Sequence, residues 1–194
     1  MKLYYSPMTC SLAGHIALEE AGVDFERELV NLSTKPTAAG LPLASVSIKG
    51  HVPVLQLDDG DVLTENVAIL DWIATRFPKL GVSGDLGRTR LIEALAYIST
   101  ELHPAFKALL HARDDQETVG AKGAIRLHLE FMSECLKGEY LFGEEPSVAD
   151  CYLFVVLLWA ERFNIDVPAR LFSFREQMKF RSAVRAVLII EGLL

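Results

Sequence analysis

Met1-Lys2-Leu3-Tyr4-Tyr5-Ser6-Pro7-Met8-Thr9-Cys10-Ser11-Leu12-Ala13-Gly14-His15-Ile16-Ala17-Leu18-Glu19-Glu20-Ala21-Gly22 opens the chain, and its reading decides the fold. Leu3 to Tyr5 forms a short strand that Ser6 and Pro7 break. Leu12, Ile16 and Ala17 then recur at helical spacing up to a stop at Gly22. Thr9 can cap this helix, which puts Cys10 and Ser11 in its first turn, where unpaired backbone N–H groups and the positive end of the helix dipole face outward. A thiol so placed is expected to titrate below the ordinary cysteine value near ~8.5 and to be reactive. The competing reading is a small structural cysteine filling a tight turn.

Working outward, Phe25 to Leu32 alternates apolar and charged residues and reads as a second strand. A strand, a helix and a strand in this order imply a right-handed crossover and a parallel pair. Ser33 to Gly40, with Lys35 and Pro36, reads as loop or short irregular helix. Lys49 to Leu57 is a strand with Pro53 near its start, Asp58-Asp59-Gly60-Asp61 a tight turn, and Val62-Leu63-Thr64 the hairpin partner. Gly50 and Pro53 around Val52 suggest an abrupt turn that exposes the Val52 backbone, and they allow a cis Val52–Pro53 bond. Glu65 and Asn66 stand at the start of an amphipathic helix marked by Val67, Ile69, Leu70 and Ile73, so that end offers backbone N–H groups to an anion.

Pro78 to Gly87 holds one proline and three glycines and divides a domain over 1–78 from a helical domain over 87–194, with 79–86 as linker. The second half contains no convincing strand. Leu86 to Leu110 and Ala124 to Leu136 have helical periodicity, and Ser147-Val148-Ala149-Asp150 is a capping box. The segment it starts, Cys151 to Trp159, is apolar on every side and belongs at the centre of a bundle. Pro168 opens a further helix and Ala183 to Ile190 forms the last.

Composition narrows the function classes. A chain of 194 residues can bury a real core, and its hydrophobic share of 51% must be hidden in that core or at a partner surface. A net charge of −7 without a basic stripe argues against nucleic acid. The apolar run at 151–160 is too short to span a bilayer, and no signal peptide opens the chain, so a cytoplasmic protein without a membrane partner is expected. Cys10, Cys135 and Cys151 form no C-x-x-C pair, which suits a reducing compartment. The five histidines make no ligand-spaced cluster, so no metal is expected.

A βαβ-ββα thioredoxin-like half followed by an all-helical half resembles the cytosolic glutathione transferases, in detail the bacterial beta class. The resemblance rests on Met1 to Tyr5, Cys10-Ser11-Leu12, His15-Ile16, Lys49-Gly50, Val52-Pro53, Leu63-Thr64-Glu65, Ala68-Ile69, Glu101-Leu102-His103, the capping box with Tyr152-Leu153-Phe154, and Glu191-Gly192-Leu193. It implies an α/β domain plus a helical bundle, a homodimer, and glutathione as co-substrate with its sulfur facing Cys10. By the same resemblance Val52, before a cis Pro53, pairs with the peptide backbone. Glu65 and Asn66 hold the γ-glutamyl end and Lys35 meets the glycyl carboxylate. His103 approaches the sulfur, with Ser11 as a further donor, and Glu101 comes from the neighbouring subunit. The chain departs from the family at Ala94-Leu95-Ala96, Ile48, Asn66, Pro104 and Ser182.

The implied activity is conjugation of glutathione to a small apolar electrophile, or thiol–disulfide exchange through Cys10, which a nucleophilic cysteine would serve better. The alternative is a catalytically weak protein of the same fold that carries apolar ligands or a protein partner.

Overall fold

In a computed structural model that describes residues 1–34 and 36–194, the chain begins with β1 (Lys2–Tyr5), α1 (Ser11–Ala21) and β2 (Glu26–Leu29). β2 runs parallel to β1, with Leu3 opposite Arg27, as the strand–helix–strand order requires. β3 (Val54–Gln56) pairs antiparallel with β1 and with β4 (Val62–Thr64), giving a four-stranded mixed sheet in the order β2-β1-β3-β4. α2 (Asn66–Arg76) follows directly and completes a thioredoxin-like domain.

β2 departs from its expected form. It is four residues long, and Leu29 on it is 42% exposed, because it is the sheet's edge and little covers it. The alternation in the sequence therefore marks an edge strand rather than one with a buried face.

The helical part comprises α3 (Gly87–Tyr97), a π-helical turn (Ile98–Leu102), α4 (His103–Leu110), α5 (Asp115–Cys135), α6 (Val148–Arg162), α7 (Ala169–Phe180) and α8 (Ser182–Ile190). α5 starts nine residues before its apolar periodicity does. Its polar first turns are held by the Asp114 carboxylate, which accepts from the Glu117 N–H at 2.8 Å, and by an Arg113–Glu117 ion pair.

α6 is buried from Val148 to Ala160 and packs against α1, α2, α3 and α7. The capping box forms as expected: the Asp150 carboxylate accepts from the Ser147 N–H at 2.8 Å and from its hydroxyl at 2.7 Å. Its other oxygen accepts from the Leu141 N–H at 2.8 Å, which ties the preceding loop to the helix start. Burial nevertheless pushes the Asp150 carboxyl up to about 6. α1 packs on both α6 and α8, so the helix that carries Cys10 at its start is seated on the helical domain.

Candidate active site

The turn before α1 is built from its own hydroxyls. The Thr9 hydroxyl donates to the Ser6 carbonyl at 2.8 Å, and Ser11, fully buried, donates to the same carbonyl at 3.2 Å while accepting from the Ser6 N–H at 3.1 Å. Two expectations change here. Cys10, not Thr9, occupies the position before the first helical residue, and the Ser11 hydroxyl is engaged inside the turn rather than aimed at the sulfur. Only its backbone N–H serves the thiol.

Met8, two residues before Cys10, has a left-handed φ of 58°, and the helical part grips it at both ends. Its carbonyl accepts from the Trp159 indole N–H at 2.9 Å, and its N–H donates to Glu191 at 3.3 Å. The other Glu191 oxygen meets His15 Nδ1 at 2.8 Å, and His15 Nε2 accepts from Arg27 Nε at 2.9 Å. Since Nε2 accepts, the hydrogen of this buried ring sits on Nδ1. His15 is thus a structural link and lies away from the cleft.

The Cys10 thiol faces the Val52 carbonyl at 3.8 Å across a cleft of about 370 Å³. The Val52–Pro53 bond is cis. One wall holds Lys49, His51, Val52 and Pro53, the end of β4 supplies Thr64, the start of α2 supplies Glu65 and Asn66, and the helical side contributes Ser99, His103, Lys107 and Tyr152. Glu65 has a φ of 69°, a conformation costly for a residue with a Cβ, and its carboxylate receives Lys49 Nζ at 2.7 Å. Asn66 is 8% exposed, and neither its Oδ1 nor its Nδ2 has a hydrogen-bond partner. A buried amide left so is costly unless something enters the cleft to meet it.

Electrostatics reverse the reading of Cys10. Burial pushes its thiol up to about 11, and the nearby Glu65 carboxylate adds to the rise. The backbone N–H groups of Cys10 and Ser11 at the helix start oppose this and are outweighed. The expected low value is therefore corrected: at neutral pH this is a thiol. His103 Nδ1 meets the Tyr152 hydroxyl at 2.7 Å, and its ring packs edge-on against Trp159 with centroids 4.9 Å apart. Burial, then the charge of Lys107, lowers His103 below the ordinary histidine value, while burial raises Tyr152. His103 thus lines the cleft as a neutral ring paired with the Tyr152 hydroxyl, not as a cation.

One residue of the expected site falls elsewhere. Glu101 is exposed on the π-helical turn and borders a separate cavity of about 680 Å³ with Tyr97, Phe131, Cys135 and Phe142. Lys35 lies outside the described residues.

Comparison with known proteins agrees with this geometry. The family model for the glutathione S-transferase N-terminal domain matches residues 7–76, and that for the C-terminal domain matches residues 94–186. Glutathione S-transferase GstA of Escherichia coli O157:H7 is 39% identical, with 100% of both chains covered. The chain belongs to the glutathione transferase family.

Two solved structures carry the likeness further. A sphingomonad glutathione S-transferase complexed with glutathione is 39% identical with a TM-score of 0.91, and a bacterial beta-class enzyme of Sphingomonas chungbukensis is 40% identical with a TM-score of 0.90. Each comparison covers 100% of both chains. The beta-class resemblance and the thioredoxin-like plus helical fold both hold.

Within this glutathione transferase, sequence reasoning gave no role to Lys49, His51, Ser99, Lys107 and Tyr152, all on the cleft. Tyr152 carried a signal that could have found it: a phenol needs a polar partner, and it stands in an otherwise apolar helix. Lys107, one helical turn after His103, carried one too, because that spacing sets it on the same face of α4.

Proposed function

We propose that this family member binds glutathione in the Cys10 cleft and transfers it to an electrophile. The observation that carries the reading is the cleft itself: the Cys10 thiol faces the backbone of Val52 beside a helix start whose buried Asn66 amide is unpartnered. The γ-glutamyl carboxylate meets the N–H groups at the start of α2, and its ammonium meets Glu65 in place of Lys49. The peptide backbone pairs with Val52, and the glycyl carboxylate lies towards His51, with Lys35 assigned to it by the family resemblance alone.

Cys10, held as a thiol, acts first as a hydrogen-bond donor to the glutathione sulfur. In the transfer, the glutathione thiol gives its proton to water, its sulfur forms a bond to carbon, and the leaving group departs with the bonding pair. Thiol–disulfide exchange through Cys10 is the secondary activity. There the Cys10 thiolate attacks oxidised glutathione, forms a mixed disulfide and releases one glutathione thiolate, and its rate is set by how little thiolate exists.

We further propose a cytoplasmic homodimer in which Glu101 serves the partner's cleft. The apolar side chains left exposed, among them Ile48, Leu127 and Phe131, support such a contact.

Calorimetric titration of glutathione, paired with turnover of a chloronitrobenzene and of a glutathione mixed disulfide, tests the reading. Binding with turnover of the aryl halide is expected. Binding with neither turnover hands the function to the carrier alternative, and absent binding sinks both.

A further inference from the structure

The charges on the cleft do not cancel, and the remainder has a place. Lys49 is paired with the Glu65 carboxylate at 2.7 Å before glutathione enters, and it lies on the glutathione wall of the cleft beside His51 and Val52. Lys107, on the helical wall, makes no ion pair among the described residues, so the wall beside His103 carries an unmatched positive charge in a chain of net charge −7. Its field reaches the interior, since it contributes to the lowering of His103.

Glutathione does not supply the missing anion. Resting on the binding reading above, its γ-glutamyl end is met at the start of α2 and its glycyl end on the wall of His51. Lys107 lies one turn along α4 from His103, on the opposite side of the cleft, where the sulfur's reaction partner must sit.

We propose that Lys107 makes this cleft selective for electrophiles that carry a carboxylate, which its ammonium receives while the electrophilic carbon faces the glutathione sulfur. The lysine is exposed on its outer side, so the pair is partly screened and the preference is modest, about fivefold over a neutral electrophile of the same shape. The pair also falls off with salt, whereas an apolar contact does not.

The test separates this subsite from the glutathione site by holding the tripeptide constant. S-(4-carboxybenzyl)glutathione and S-(4-methylbenzyl)glutathione are titrated calorimetrically into the full chain and into Lys107→Met and Lys107→Arg at low and at high salt. The expected result is about fivefold tighter binding of the carboxy conjugate by the original chain. That preference falls to about one in Lys107→Met, returns in Lys107→Arg and shrinks with salt. Equal affinity of the two conjugates for the original chain, or a preference that survives in Lys107→Met, overturns the inference and leaves the glutathione reading standing. Failure of both conjugates to bind overturns the glutathione reading and this inference with it.

Discussion

Alkylation of Cys10 across pH measures the central electrostatic claim directly. With its thiol near 11, the thiolate fraction at pH 7.5 is about 3 × 10⁻⁴, against about 0.09 for a free cysteine near 8.5. Iodoacetamide should therefore modify Cys10 about 300-fold more slowly than a free thiol at that pH. The rate should climb about tenfold per pH unit up to pH 10. Peptide mapping by mass spectrometry separates Cys10 from Cys135 and from Cys151, which burial also raises, Cys151 far more. Stability gives a second readout with a definite sign. A folded value above the unfolded one means that the protonated thiol stabilises the fold below about pH 8.5, a contribution lost as pH rises through about 11. A Cys10 rate that levels off below pH 8.5 would show that the helix-start N–H groups outweigh burial, and the assignment of Cys10 as a donor thiol would fall with it.

Four further outcomes follow from the same geometry. Asp150, raised to about 6 when folded, favours the fold in its protonated form below about pH 4, and this contribution of about 3 kcal/mol is lost as pH rises through 6; urea midpoints of the parent and Asp150→Asn compared from pH 4 to 7 should converge at acid pH, and parallel curves refute it. Glu65→Gln should weaken glutathione binding about five- to thirtyfold by calorimetry, a moderate loss because the Glu65 side chain is 69% exposed; unchanged affinity would move the γ-glutamyl site elsewhere. Tyr152→Phe, which removes the hydroxyl beside His103, should lower kcat about fivefold with the glutathione KM unchanged, whereas a rise in KM alone would make the pair a binding element. Light scattering at micromolar concentration should give twice the 21.5 kDa chain mass, and a monomer would remove Glu101 from the site.

The fold was legible where a local signal and a tertiary need coincide. The opening strand, the break at Ser6-Pro7, the apolar spacing through Ile16 and the capping box at Ser147–Asp150 each specify an element whose apolar face is then buried. Where the two part, the sequence misleads. Phe25 to Leu32 alternates as if one face were covered, yet the strand lies at an edge. The first turns of α5 are polar all round, so apolar periodicity misses them, although Asp114 and Glu117 spell out their cap. Nothing local marks the π-helical turn at Ile98–Leu102, which inserts an extra residue into the helical ladder just before His103.

At the site the identities were legible and the charge states were not, for one physical reason. A helix start is visible in a sequence, and with it the N–H groups that favour an anion. Solvent exclusion is not visible, because it is produced by residues more than forty positions away: Val52 and Pro53 on one side, His103, Tyr152 and Trp159 on the other. For Cys10 the remote effect is the larger one, so a thiolate read locally becomes a protonated thiol once the chain folds. The same burial makes His103 a neutral partner of Tyr152 instead of a cation. A cleft whose reactive groups are all neutral leaves the glutathione sulfur as the group that must ionise. On the proposed reading, catalysis consists of how well the S–H of Cys10 and the positive charge of Lys107 accommodate that thiolate and the partner it attacks.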